Sequence, residues 1–286
     1  SALLATTSGG VTTLDSLNRL ATTPLHASIT DATGAAQDKS KVMEDVIKEL
    51  NKPSQNLNQD NRGTCTVTSM THTLAEKNPA EYARIVTDLA TTGQSKIANG
   101  DTITPPADGF AQDNSNRSVS ERLFQSALMN YGRPGAGYQN WNKAGFPQPG
   151  GGTVDNGFPP NGSNLGALEN KRVMEGLFGK KMERYTDKLP DRIKTEIGKG
   201  NGPVFTGLRW GNGNHVVEIT KIEGGRVYFR NPWGPGAVAP NGTASGTAAN
   251  NTNAGPQRQT EDQANGIESM TIDQFNACGN DIIVSK

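Results

Sequence analysis

Two regions, one with helical and one with strand-like hydrophobic periodicity, constrain the fold of this chain most strongly. Apolar residues recur at helical spacing over 67–74, directly after Cys65, and they predict a helix that begins at this cysteine. Far downstream, two strand-like runs at 215–222 and 226–230 flank a pair of glycines, which is a two-residue hairpin signal. An early helical region and a late antiparallel region together predict an α+β fold.

Capping and breaking residues predict the remaining elements. Asn78 and Pro79 form the cap and first turn of a second helix, which Gly93 ends. Ser118 and Glu121 form a capping-box signal for a third. The further predictions are helices at 42–50 (with an apolar stripe of Val42, Val46, Ile47 and Leu50), 79–92, 118–132, 166–178 and 190–197, a strand at 203–208, and loops at 94–117 and 132–163.

The length of 286 residues allows one large domain or two small ones. We expect residues 1–50 to form an accessory region, with the remnant of an inhibitory pro-segment as the alternative. Residues 51–286 would form the main domain, mainly helical over 51–200 and mainly β over 201–286. Within the second part, 235–266 is low in complexity and nearly free of large apolar side chains, which predicts a flexible surface loop. A flap beside the site is the alternative for that segment.

Charge and composition exclude several classes of protein. The 28 acidic and 28 basic residues give a formal net charge of zero, which argues against a general nucleic-acid binder or a protein of anionic membranes. No apolar run approaches the ~20 residues that span a bilayer, and no signal-peptide pattern opens the chain. The 34 Gly and 16 Pro indicate a loop-rich protein. This composition fits a secreted or delivered effector, while the compartment and the oligomeric state stay open.

The chain has only two cysteines, Cys65 and Cys278, which are too few for a disulfide framework. They could pair with each other, remain inert thiols, or bind a metal together with His215. The spacing matches no zinc pattern of closely paired ligands, so we expect no metal. For Cys278 we expect a partly buried thiol, whereas the sequence around Cys65 favours a reactive one.

Four residues in the order Gln59, Cys65, His215 and Asn231 supply the groups that a cysteine peptidase needs. Cys65 is the predicted nucleophile, because a helix N-terminus and a neighbouring imidazolium would lower its pKa and make the thiolate the resting form. His215 is the predicted base, and Asn231 would bind its other ring nitrogen. The side-chain amide of Gln59 and the backbone N–H of Cys65 would form an oxyanion hole. Trp233 would cover the His–Asn contact from water.

The other two histidines are poorer candidates for the base. His72 lies on the same predicted helix as Cys65, but seven residues at the helical rise separate the two by about 10 Å, too far for proton exchange. We interpret His72 as a helix-surface or packing residue. His26 has no partner signature in the sequence.

A regular hairpin would not join His215 to Asn231. A two-residue turn at 224–225 places Asn231 opposite Glu218, and three residues of strand span about 10 Å. The contact therefore requires a β-bulge, strong twist, or a turn at the strand end.

At these residues the chain resembles the papain superfamily of cysteine peptidases. In that superfamily a Gln stands six residues before the nucleophile, the Cys opens the central helix, and the Asn lies in an N-x-W-G motif. The Asn-Pro-Trp-Gly variant at 231–234 is most similar to the calpain branch, and 268–275 resembles a calpain segment in which a strand leads into a short turn. The chain departs from the pattern at Thr66, where most of the family carries an aromatic residue, and at Asn214, where calpains carry Gly.

The resemblance implies a papain-like two-lobed fold and a cysteine endopeptidase that acts on a protein or peptide substrate. Its helical lobe would carry Cys65, and its antiparallel β lobe would carry His215 and Asn231. The chemistry requires no cofactor. Calpain catalytic cores bind calcium, but the sequence has no matching carboxylate clusters, so we do not predict calcium dependence.

Two other functions stay open. The same Cys–His pair supports glutamine deamidation or transglutamination, because both reactions pass through a thioester. The departures at Thr66 and Asn214 also suit a catalytically inactive module that binds a peptide.

Overall fold

The computed structural model describes residues 7–60, 62–113, 115–140, 146–147, 153–154, 164–210, 213–235 and 256–286. Most helices precede most strands along the chain, and seven of the strands form one antiparallel sheet. The prediction of an α+β fold is therefore confirmed. Nothing in these ranges is a helix long and apolar enough to cross a membrane.

Most of the long helices lie where capping and periodicity predict them, whereas those at Thr13–Thr22, Pro53–Asn56 and Ile272–Cys278 were not predicted. Asn78 caps the second long helix by accepting a hydrogen bond from the N–H of Glu81, and Gly93 ends it in the left-handed conformation. Ser118 and Glu121 form the predicted capping box. The helices are α1 (Thr13–Thr22), α2 (Lys39–Asn51), α3 (Pro53–Asn56), α4 (Cys65–Lys77), α5 (Pro79–Thr92), α6 (Val119–Gly132), α7 (Ala167–Phe178), α8 (Leu189–Gly198) and α9 (Ile272–Cys278).

Within the described residues, the strands form one large sheet and three small two-stranded sheets. The strands are β1 (Thr7–Ser8), β2 (Val11–Thr12), β3 (Ser95–Lys96), β4 (Thr102–Ile103), β5 (Phe146–Pro147), β6 (Thr153–Val154), β7 (Met182–Tyr185), β8 (Val204–Trp210), β9 (Gly213–Glu223), β10 (Arg226–Arg230), β11 (Gln259–Asp262), β12 (Ile267–Thr271) and β13 (Gly279–Ser285). The large sheet has the order β11-β12-β10-β9-β8-β13-β7.

Two hydrophobic clusters cover the two faces of the sheet. The first joins the long helices to inward-facing sheet residues such as Phe205 and Val216, and it also contains Cys65. The second joins the opposite face to α8 and α9 and contains Trp210 and Trp233. The N-terminal helices α1 and α2 contribute Leu17, Leu20, Val42, Val46 and Leu50 to the first cluster, so they pack into the same core as α4 to α7.

One residue of the predicted α2 stripe is not buried. Val42, Val46 and Leu50 recur every four residues and are buried, but Ile47 is 50% exposed. The reason is the helical rotation of about 100° per residue, which turns position 47 away from the face that 46 occupies.

The predicted loop at 235–266 is wrong over its last part. Gln259–Asp262 forms the edge strand β11, which pairs with β12, and a short 3₁₀ helix follows at Gln263–Asn265. Backbone pairing with an existing sheet edge explains this strand, since its polar side chains carry no apolar pattern. Residues 236–255 of the prediction lie outside the described residues, as do most of those at 141–163.

The hairpin of β9 and β10 contains the irregularity that the sequence requires. Arg226 pairs with Glu223 at the turn, but the register shifts between Tyr228 and Phe229, so that Arg230 pairs with Glu218. This β-bulge moves Asn231 one residue closer to His215 than a regular hairpin would.

Candidate active site

Cys65 is the first residue of α4 and lies against the sheet. Its side chain is buried, with 6% exposure, and its Sγ accepts a hydrogen bond of 3.5 Å from the backbone N–H of Val216. Ser69, one turn later, donates to the carbonyl oxygen of Val216 at 3.4 Å. The start of α4 is therefore fixed on the residue that follows His215 in β9.

Thr64 stands at the N-cap of α4, but its side chain makes no capping hydrogen bond. Its hydroxyl donates instead to Oε1 of Gln125 at 2.9 Å, and the amide of Gln125 donates to the carbonyl oxygen of Asn58. Helix α6, which carries Gln125, thus holds both ends of the loop that leads into Cys65.

The ring of His215 is joined to Asn231 as predicted. The distance from Nε2 of His215 to Oδ1 of Asn231 is 3.0 Å, and both residues are buried. His215 lies in β9 opposite Leu208, whereas Asn231 directly follows β10. The β-bulge and the turn after β10 together close the gap.

Two neighbours define which atom of the Asn231 amide faces the histidine. The backbone N–H of Trp233 donates to Oδ1 at 3.2 Å, and Nδ2 of Asn231 donates to Oε2 of Glu268 at 2.9 Å. Because Oδ1 can only accept, Nε2 of His215 must carry a proton to complete their hydrogen bond. Nδ1 is consequently the basic nitrogen of the neutral ring.

Two tryptophans enclose the imidazole. Trp233 stacks on His215 with ring centroids 4.5 Å apart, and Trp210 lies at 4.8 Å on a tilted plane. The two indoles meet edge to face at 5.3 Å. The expected role of Trp233 as a cover therefore agrees with its position, and Trp210 is a second cover that the sequence did not point to.

Gln59 belongs to the same cluster. Its backbone N–H donates to the carbonyl oxygen of Pro232 at 2.8 Å, which ties the approach loop to the turn after Asn231. Glycine at position 234 allows the two segments to approach this closely. Its φ is +83°, and a Cβ at this position would lie 3.0 Å from the Cβ of Asn58. The Gln59 side-chain amide donates to the carbonyl oxygen of Arg62 at 2.7 Å, so one of its two hydrogens is already engaged.

Burial acts against the predicted thiolate–imidazolium pair. Burial raises the pKa of the Cys65 thiol, although the hydrogen bond from Val216 opposes the rise. Burial lowers the pKa of His215 to about 4, assisted by the charge of Arg258 and opposed by the hydrogen bond to Asn231. Desolvation of both groups favours the neutral thiol and the neutral imidazole and opposes the effect of the helix N-terminus, so the resting thiolate stays a prediction.

A buried acid and its arginine were missed by sequence reasoning. Glu268 of β12 accepts from Asn231 with Oε2 and from Nε of Arg258 with Oε1, at 2.9 and 2.8 Å. The Arg258 guanidinium lies 4.3 Å from the ring centroid of Trp210. The acidic side chain at position 268, in a short segment that also contains Ile267 and Met270, was the available signal, but nothing in its spacing identified the partner.

The interpretation of His72 is only half right, because the residue packs at the helix–sheet contact but in a polar cluster. Nη1 of Arg230 lies 2.9 Å from Nδ1 of His72 and also contacts Glu218 and Glu76. His72, Glu76 and Glu218 have the spacing of metal ligands, yet the guanidinium already contacts all three. The cluster is therefore an ion network that joins α4 to the sheet.

Cys278 is a free, buried thiol at the end of α9, as expected, and Cys65 is also free. The Sγ of Cys278 contacts Sδ of Met270 at 3.7 Å, in the second hydrophobic cluster. The alternative of a disulfide between the two cysteines is excluded.

A groove of about 980 Å³ lies at the other end of α4, where Glu76, Leu177 and Pro203 are among its lining residues. Neither Cys65 nor His215 lines it. Comparison with the models of known protein families and with curated proteins finds no match. The chemical interpretation of the site therefore rests on its own residues and their geometry.

Proposed function

We propose that the chain is a cysteine peptidase with a papain-like fold, most similar to the calpain type, that hydrolyses peptide bonds in a protein or peptide. The observation that carries the proposal is the convergence of three elements: Cys65 at the start of α4 meets β9 beside His215, and His215 is hydrogen-bonded to Asn231. The order of residues along the chain and the roles of their atoms support one nucleophile, one base and one orienting group.

The two hydrophobic clusters support a site at the contact between the helices and the sheet. Cys65 belongs to the helix-dominated hydrophobic cluster, whereas the tryptophans around His215 belong to the cluster on the other face of the sheet. The candidate residues therefore lie where the helical part of the chain meets the sheet.

Because burial favours the neutral thiol and the neutral imidazole, proton transfer comes first in the proposed reaction. When substrate is bound, Nδ1 of His215 takes the thiol proton, and the sulfur attacks the scissile carbonyl carbon. The backbone N–H of Cys65 and the free hydrogen of the Gln59 amide stabilise the oxyanion. The imidazolium then protonates the leaving amine, which departs and leaves a thioester. Water, deprotonated by Nδ1, hydrolyses that thioester and restores the thiol.

Two observations favour a competing function. The raised pKa of Cys65 and the engaged amide of Gln59 also suit a module that binds a peptide without cleaving it. Deamidation or transglutamination would use the same thioester and differ only in the amine that leaves or attacks. The test must therefore separate chemistry at Cys65 from binding alone.

The experiment is covalent labelling with a peptidyl epoxide at neutral pH, read by mass spectrometry. We expect one adduct on Cys65 of the wild type, none in Cys65→Ala, and a much slower adduct in His215→Ala. Cys278→Ala is the matched control and should label like the wild type. If both cysteines label equally slowly, and the rates are the same in the wild type and in His215→Ala, the proposal is overturned in favour of the binding module. Release of ammonia without new N-termini from a peptide library would instead indicate a deamidase.

A further inference from the structure

We propose that Glu268 and Arg258 form a positioning pair, which holds the amide of Asn231 in one orientation and so keeps Nδ1 of His215 free to act as the base. The inference rests on the proposed function, because it assigns the part of the site that prepares His215 for proton transfer. Neither residue touches Cys65 or a substrate in this role. Their effect passes through Asn231.

The geometry leaves both carboxylate oxygens of Glu268 occupied. Oε2 accepts from Nδ2 of Asn231 at 2.9 Å, and Oε1 accepts from Nε of Arg258 at 2.8 Å. The side chains of Glu268 and Arg258 are both fully buried. A buried ion pair with this geometry is stable only while each partner is present, so the carboxylate has little freedom to turn away from Asn231.

The orientation matters because an asparagine amide has a donor end and an acceptor end. A carboxylate can only accept, so Glu268 selects the Nδ2 end and leaves Oδ1 for His215. The N–H of Trp233, 3.2 Å from Oδ1, makes the same selection from the other side. If the amide turned over, Nδ2 would face Nε2 of His215, and the ring would have to carry its proton on Nδ1. That tautomer cannot take a proton from the thiol.

Arg258 adds a second constraint. It forms a buried ion pair with Glu268, and its positive charge also contributes to the lowered pKa of His215. Its guanidinium also lies on Trp210, whose ring contacts His215. The pair therefore supports the imidazole through Asn231 on one side and through Trp210 on the other.

The test reads the tautomer directly. Nitrogen-15 correlation spectra of the ring at pH 7 separate protonated from unprotonated nitrogens, and the chain has only three histidines to assign. We expect the wild type to carry the His215 proton on Nε2. In Glu268→Gln we expect a mixture that includes the Nδ1-protonated form, and labelling of Cys65 by the peptidyl epoxide at least about tenfold slower.

Two further variants keep the test decisive if Glu268→Gln fails to fold. The double variant Glu268→Met/Arg258→Met replaces the ion pair with apolar side chains of similar volume, which often preserves stability, and it should show the same mixed tautomer. Asp281→Asn is the matched control, because it breaks the ion pair with Arg184 in the same sheet without contacting Asn231. It should keep the Nε2 proton and the wild-type labelling rate.

Three outcomes are distinguishable. An Nε2 proton and wild-type labelling rate in both Glu268 variants would overturn the inference, and so would an Nδ1 proton in the wild type. A tautomer that responds to Glu268 in a protein that cleaves no peptide would support the positioning pair and reject the peptidase function.

Discussion

At the scale of single residues, burial governs the chemistry of Cys65 and His215. The sequence predicts both residues and their partner Asn231, because each is recognisable by type and context. It does not predict their protonation, since desolvation depends on what the rest of the chain packs around them. Around His215 this packing comes from Trp210 and Trp233, which belong to two separate segments.

The first prediction concerns the reaction of Cys65 with iodoacetamide, a small reagent that does not mimic substrate. Since burial raises the thiol pKa, the labelling rate in a Cys278→Ala background should be low at neutral pH. It should rise only above the ordinary thiol range of about 8.5. The rate is measured between pH 5 and 10. A plateau of fast labelling that persists down to acidic pH would contradict this prediction and indicate a standing thiolate–imidazolium pair.

The second prediction concerns Asn231→Asp. The new carboxylate would face Glu268, so its folded-state pKa should be raised above the usual 3.9 by a like charge and by burial. A raised carboxyl pKa costs stability once the unfolded chain ionises. The loss should therefore grow from pH 4 to pH 7 and reach about 2 kcal/mol or more. Urea denaturation at several pH values measures it, with the exposed Asn280→Asp as control. A loss that is independent of pH would argue against the contact with Glu268.

At the scale of elements, local signals predict where helices and strands begin, but they do not predict the register in which strands pair. The caps at Asn78 and Ser118 and the glycines at 224–225 act over a few residues, so the sequence displays them. The β-bulge between Tyr228 and Phe229 has no such signal, because neighbouring strands and the turn after β10 decide it. Strand β11 was missed for the same reason, since pairing with β12 forms it.

The third prediction tests one of these local signals. Asn78→Ala removes the hydrogen bond that the side chain accepts from the N–H of Glu81 at the start of α5. We expect a loss of about 1 kcal/mol of unfolding free energy. Labelling of Cys65 by the peptidyl epoxide should be unchanged, because α5 begins at the opposite end of α4 from the thiol. Asn78→Ser, which can still cap, should recover most of the stability. If Asn78→Ser is as destabilised as the alanine variant, the cap is not the cause.

At the scale of the whole molecule, the candidate site depends on the alignment of α4 with the sheet. Cys65 is fixed to β9 at one end of α4, and the cluster of His72, Glu76, Glu218 and Arg230 fixes the helix further along. Although burial alone would raise it, the neighbouring His72 ring and the charge of Arg230 hold the pKa of Glu218 below its ordinary value. These contacts join residues far apart in sequence, so only the folded chain reveals them.

The fourth prediction follows from this alignment. Arg230→Ala would leave Glu218 buried without its cation, and we expect a loss of about 3 kcal/mol of unfolding free energy. The exposed partner provides the control, since Glu76→Gln should cost less than about 1 kcal/mol. Chemical denaturation measures both. Equal effects of the two substitutions would show that the cluster does not stabilise the helix–sheet contact.

The buried state of Cys65 also has a consequence for the durability of the protein. Peroxide and other oxidants attack cysteine mainly as the thiolate and where it is accessible, and they carry it to acids that are not readily reduced. Cys65 is buried and the pKa of its thiol is raised, so the residue offers oxidants little accessible thiolate. The free protein should therefore survive oxidising surroundings that inactivate enzymes with a permanently ionised cysteine.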